Sequence, residues 1–141
     1  MQHAYSTLDL SGEARGTHRG WTVSSICSYK IANDRCPAVV KVRPPGGTER
    51  LLVSFEGEAG KEQAAIAAGF QLATARIDQW LDVLEHVSAN AGAVPSGCGL
   101  MFDDIDPLGA MGLLESYAGG FRLTDEGRRV LAAGRGQQCQ L

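Results

Sequence analysis

The chain has no Cys-x-x-Cys pair, and its histidines, His3, His18 and His86, stand far in sequence from its cysteines, Cys27, Cys36, Cys98 and Cys139. The spacings that bind structural zinc are therefore absent, and no metal site is expected. An even cysteine count invites a disulfide framework. A chain of 141 residues is long enough for a core of its own, however, and in a reducing compartment free thiols are expected. A Cys27–Cys36 bridge across neighbouring strands is conceivable but not expected. No run approaches the ~18 apolar residues of a membrane span. The first ten residues lack a basic stretch followed by an apolar core, so no secretory leader is expected and the reading is cytoplasmic. Cations are missing from one region altogether: residues 77–121 contain no Lys or Arg and seven Asp or Glu. With a net charge of −3, the chain is not one that coats nucleic acid by bulk electrostatics.

What is abundant is glycine, 18 residues of 141, ten of them among the last 50. The patterned sequence lies earlier. From Trp21 to Ile31, Trp21, Val23, Cys27, Tyr29 and Ile31 fall on one side at period two, with Ser25 and Ile26 as exceptions, which predicts a half-buried strand. Ala38, Val40 and Val42 repeat the pattern, as do Leu51, Val53 and Phe55 after the turn Pro44-Pro45-Gly46-Gly47. These three strands predict an antiparallel meander with one apolar face, which must be covered. Residues 61–87 hold no proline and one glycine, and Ile66, Phe70, Ala73, Ile77, Trp80, Leu84 and Val87 recur at steps of four and three. That is an amphipathic helix about 40 Å long. A six-residue strand spans only ~20 Å, so the second half of the helix needs another surface. A C-terminal segment of the same chain is preferred over a second copy.

The expected organisation is thus α+β: a flexible arm over 1–20, a β-β-β-α core over 21–87, a Gly-rich linker over 88–112, and a small hairpin with a short helix over 113–141. In that last unit Ala118-Gly119-Gly120 marks the turn, Thr124 caps the helix, Gly134 ends it, and the tail is frayed.

Candidate chemistry fails on inspection. Gly60-Lys61 is no phosphate loop, because Phe55 stands where its first glycine belongs and Glu62 where its hydroxyl belongs. Asp104-Ile105-Asp106-Pro107-Leu108 begins like a calcium loop but puts Leu108 at position five; Asp103, Asp104 and Asp106 read as a solvated turn or a cap. Cys98 and His86 have no identifiable orienting third group. No catalytic residue, cofactor or metal ligand is assigned, and an enzyme is not expected.

Three resemblances bear on function. Gly119-Gly120-Phe121-Arg122-Leu123-Thr124-Asp125-Glu126-Gly127 resembles the wing and closing helix of bacterial winged-helix regulators, which implies DNA binding. The acidic stretch before it lacks the cations that such a reading head carries. Three strands followed by Gly57-Glu58-Ala59-Gly60-Lys61 resemble the end of a double-stranded-RNA-binding domain, although Lys61 is the only match to its basic cluster. More closely, His18-Arg19-Gly20-Trp21, the strand–Pro44-Pro45-Gly46-Gly47-Thr48-Glu49–strand hairpin and Ile77-Asp78 resemble a group of small proteobacterial hypothetical proteins. Their β-β-β-α unit opens on a similar His-Arg-Gly and closes near Ile-Asp. That resemblance implies the architecture and carries no activity.

The expectation is a noncatalytic interaction or accessory module of a bacterial cytosolic protein, its partner an unidentified protein or a second copy through weak self-association. Nucleic-acid binding is the alternative. Trp80, Leu84 and Val87, on the overhanging half of the helix, are the candidate interaction surface.

Overall fold

The computed structural model describes residues 4–8, 11–90, 93–95, 102–117 and 119–136. The chain is α+β. Five strands, β1 (Ala4–Leu8), β2 (Ser11–His18), β3 (Trp21–Ser28), β4 (Pro37–Arg43) and β5 (Arg50–Glu56), form an antiparallel sheet in sequential order. Helix α1 (Glu62–Ala89) crosses one face of it. Strand β6 (Ala93–Pro95), helix α2 (Phe102–Ala110), strands β7 (Leu114–Tyr117) and β8 (Gly120–Leu123), and helix α3 (Asp125–Gly136) complete the chain, with β6, β8 and β7 in a second, smaller sheet.

The expectation of three strands and a loose arm is corrected by β1 and β2, which lengthen the meander at its N-terminal edge. Registration on β3 puts Gly12, Ala14 and Gly16 on the same face as Cys27, Ser25 and Val23. That face of β2 is small because α1 lies against it: a Cβ on Gly12 would sit 2.7 Å from Ile66 Cδ1. Side chains too small to mark a hydrophobic alternation are what the packing requires here. The β2–β3 turn is Arg19-Gly20, both at positive φ (51° and 87°). Two left-handed residues between paired His18 and Trp21 match the right-handed twist of the strands.

The two exceptions in the sequence pattern of β3 each follow the strand's facing, although Ser24 on the outer face is itself buried at 3% exposure. Ser25 faces the helix, and its hydroxyl donates to the Ile66 carbonyl at 2.8 Å, so a fully buried polar group is satisfied. Ile26 pairs with Val39 on the opposite, outer face. Ile31 lies beyond the strand and is 70% exposed. In β5, Val53 and Phe55 pack against the core as expected, but Leu51 is exposed. A bulge explains it: Val53 pairs with Val40 and Leu51 with Lys41, leaving Leu52 as the extra residue and turning Leu51 outward.

Every residue of the four-and-three stripe on α1 is buried, and the stripe widens after Ile77 to take in Leu81 and Val83. The widening follows from the second partner, since α2, β6, β8 and α3 all pack on α1. The linker over 88–112 is corrected in the same way: α1 continues to Ala89, β6 follows, and 102–110 are helical, so Asp103–Asp106 belong to α2 rather than to a turn. Thr124 accepts from the Gly127 N–H at 3.0 Å, as an N-cap does. Gly134 does not end α3, which runs to Gly136. It is buried where a Cβ would come 3.1 Å from Leu81, so glycine there permits close helix packing. Cys98, Cys139 and the C-terminal tail lie outside the described residues.

Candidate functional site

Trp80, Leu84 and Val87 are 2%, 0% and 0% exposed within a single chain. They are core, and their assignment as an interaction surface is corrected. Trp80 packs on Trp21 with ring centroids 5.6 Å apart and planes tilted by 35°, a favourable aromatic arrangement. Among the described residues neither indole N–H has a hydrogen-bond partner. The overhanging half of α1 is covered by the C-terminal unit of its own chain.

The fold brings together His18, Arg19 and Asp78, the residues of the His-Arg-Gly and Ile-Asp pairs. His18 faces α1 from the end of β2, and its Nε2 donates to Asp78 Oδ1 at 2.8 Å. Arg19, held at positive φ in the turn, donates from Nη1 to the same oxygen at 3.1 Å. Burial pushes the Asp78 carboxyl up, but the His18 and Arg19 hydrogen bonds outweigh it and hold the carboxyl below its ordinary value. The side-chain hydrogen bonds described for Asp78 come from His18 and Arg19. The cluster ties a hairpin turn to the middle of a helix, and the described contacts give it the geometry of a clasp rather than that of a catalytic triad.

At the opposite end of β3 the thiols of Cys27 and Cys36 are free and buried. Cys27 Sγ lies 3.6 Å from the Cys36 carbonyl oxygen, and Cys36 Sγ donates to Glu62 Oε2 at 3.3 Å. Burial and this carboxylate push the Cys36 thiol up to about 12. A thiol so placed is neither a nucleophile nor a ready metal ligand at neutral pH. Among the described residues no group of three or more metal-ligating side chains occurs.

The outer face of the large sheet is different. Helix α1 covers the inner face, and no other described element outside the sheet makes substantial contact with its strands. Strand register sets out its side chains in rows: Glu13, Ile26, Val39 and Ser54; then Arg15, Ser24, Lys41 and Leu51; then Thr17, Thr22 and Arg43. A polar hollow of about 450 Å³ opens at the third row, lined by Arg15, Thr22, Arg43, Gly47, Thr48 and Glu49. Arg15 is paired with Glu13, and Lys41 lies 3.9 Å from Glu49. Arg43 has no ion pair among the described residues and is exposed. Leu51, in the adjacent row, is 55% exposed. The alternation of β4 already leaves Lys41 and Arg43 outward, but sequence reasoning missed the face as a whole because Arg15 comes from β2, a strand it did not expect.

Two of the cations in the segments behind the nucleic-acid readings, Lys61 and Arg122, are engaged locally. Lys61 pairs with Glu58 at 3.2 Å, and Arg122 with Glu115 at 2.6 Å. Arg135 pairs with Glu85. No described helix is long and apolar enough to cross a membrane. No family model, curated protein or solved structure matches the chain.

Proposed function

We propose that this protein is a noncatalytic interaction module that engages a protein partner through the outer face of its five-stranded sheet. The supporting observation is a face with no substantial contact to any described element outside the sheet: a half-polar surface with half-buried Ile26 and Val39 and exposed Leu51 beside the Arg43 hollow, on a fold whose apolar stripe is otherwise consumed internally. A mix of apolar and charged groups is the composition of a non-obligate protein contact. The convergence of His18 and Arg19 on Asp78 supports membership of the proteobacterial group with the His-Arg-Gly and Ile-Asp pairs. The cluster's role there is to hold the β2–β3 hairpin against α1.

The test is comparative capture from native cell extract. Wild-type protein and a Leu72→Glu variant, altered on the outer side of α1, are expected to retain the same discrete protein. An Arg43→Glu/Leu51→Glu variant is expected to lose it while keeping its unfolding midpoint. Retention by the sheet-face variant, or loss with the helix variant alone, contradicts the reading.

A further inference from the structure

The hollow beside Arg43 has a charge balance that specifies its ligand. Two cations, Arg15 and Arg43, and one carboxylate, Glu49, line it; outside the lining, Glu13 pairs with Arg15 and Lys41 lies 3.9 Å from Glu49. The remainder is a single positive charge, placed on a guanidinium with no ion-pair partner among the described residues. We propose that this hollow binds one carboxylate of the protein partner, an acidic side chain flanked by an apolar residue that covers Leu51. This inference rests on the outer sheet face being the contact surface.

The chemistry favours a carboxylate over a phosphate. A phosphate dianion would meet one unneutralised cation and, in Glu49, a carboxylate within the same lining. A carboxylate meets a balanced site, and its two oxygens match the planar fork of an arginine. Thr22, paired with Arg43 across the strands, and Thr48 in the β4–β5 turn add hydroxyl donors at the rim. Leu51 sits opposite Lys41, two positions along β4 from Arg43 and on the same face. An apolar residue next to the acidic one in a bound segment therefore has a surface to cover. Because the hollow is assembled on strands and a short turn, the backbone that carries its lining residues is fixed before the ligand arrives.

Amide chemical shifts of the full chain, followed during titration, test this directly. The probe is the N-acetylated, C-amidated dipeptide leucyl-glutamate; its glutamine isostere and inorganic phosphate are the comparison arms. The expected result is saturable shifts at Thr22, Arg43, Gly47 and Thr48 with the glutamate probe. Affinity should fall by about tenfold or more with the glutamine isostere and in Arg43→Gln. An Arg35→Gln variant, whose arginine pairs with Glu56 in the β3–β4 hairpin, should bind as the wild type does. Equal binding of the glutamine isostere, tighter binding of phosphate, or indifference to Arg43→Gln overturns the proposal. Loss of the carboxylate response while the partner is still captured through the sheet face removes this inference alone. Loss of capture as well removes the interaction reading beneath it.

Discussion

His18 Nε2 lies 2.8 Å from Asp78 Oδ1, joining two residues sixty positions apart at the point where the β2–β3 turn meets the long helix. Asp78 also receives Arg19, so one carboxylate oxygen closes the hairpin onto α1. The Asp78 side chain is about half exposed, so the clasp is partly screened and adds only modestly to stability. Asp78→Asn is expected to cost about 1 kcal/mol at neutral pH. The folded-state carboxyl is held below its unfolded value, so its contribution is complete above the unfolded value of about 4 and is lost as pH falls through the lowered one. Urea midpoints of the two proteins should therefore differ at neutral pH and converge in acid. A difference that grows on acidification contradicts this account.

Gly69 sits where α1 packs tightly against the sheet. A Cβ there would lie 2.5 Å from Ser25 Oγ and 2.7 Å from Val40 Cγ2. Gly69→Ala should gain up to about 1 kcal/mol of helix propensity. Against that stand overpacking and disturbance of the buried Ser25–Ile66 hydrogen bond, worth roughly 1–3 kcal/mol or more. Net destabilisation is expected by chemical denaturation; net stabilisation would show that the interface yields.

Trp80 separates core from surface. Trp80→Ala should cost roughly 3–5 kcal/mol, as a large buried aromatic does. Trp80→Phe should cost clearly less, because the indole N–H it removes has no partner among the described residues. Equal stability of Trp80→Ala and wild type would restore Trp80 to an exposed contact role.

Cys36 should resist alkylation in the folded protein at neutral pH, with its thiol pushed up to about 12 and its side chain buried. Peptide mass mapping after brief iodoacetamide treatment should find Cys27 and Cys36 unmodified until denaturant is added. Rapid native-state labelling of either contradicts the described burial.

Where the inward side chains are large, the sequence predicts the fold directly. The stripe from Ile66 to Val87 and the alternation of β4 both carry through. It fails where packing selects small residues, as at Gly12, Ala14 and Gly16 in β2, whose strand leaves no hydrophobic trace. The turned-out Leu51 was illegible for another reason, because a one-residue bulge inverts the faces of a strand without altering its composition. The clasp was marked only by a resemblance, and the Arg43 hollow only by the outward positions that the alternation of β4 leaves to Lys41 and Arg43. Both are assembled from residues on separate elements, whose meeting depends on register and not on spacing.

A photo-crosslinking residue placed at Leu51, with one at Leu72 as the comparison, tests the interaction reading most directly in intact cells. The account predicts a discrete crosslinked protein from Leu51 and none from Leu72. Crosslinking from Leu72 alone, or from neither position, would contradict it.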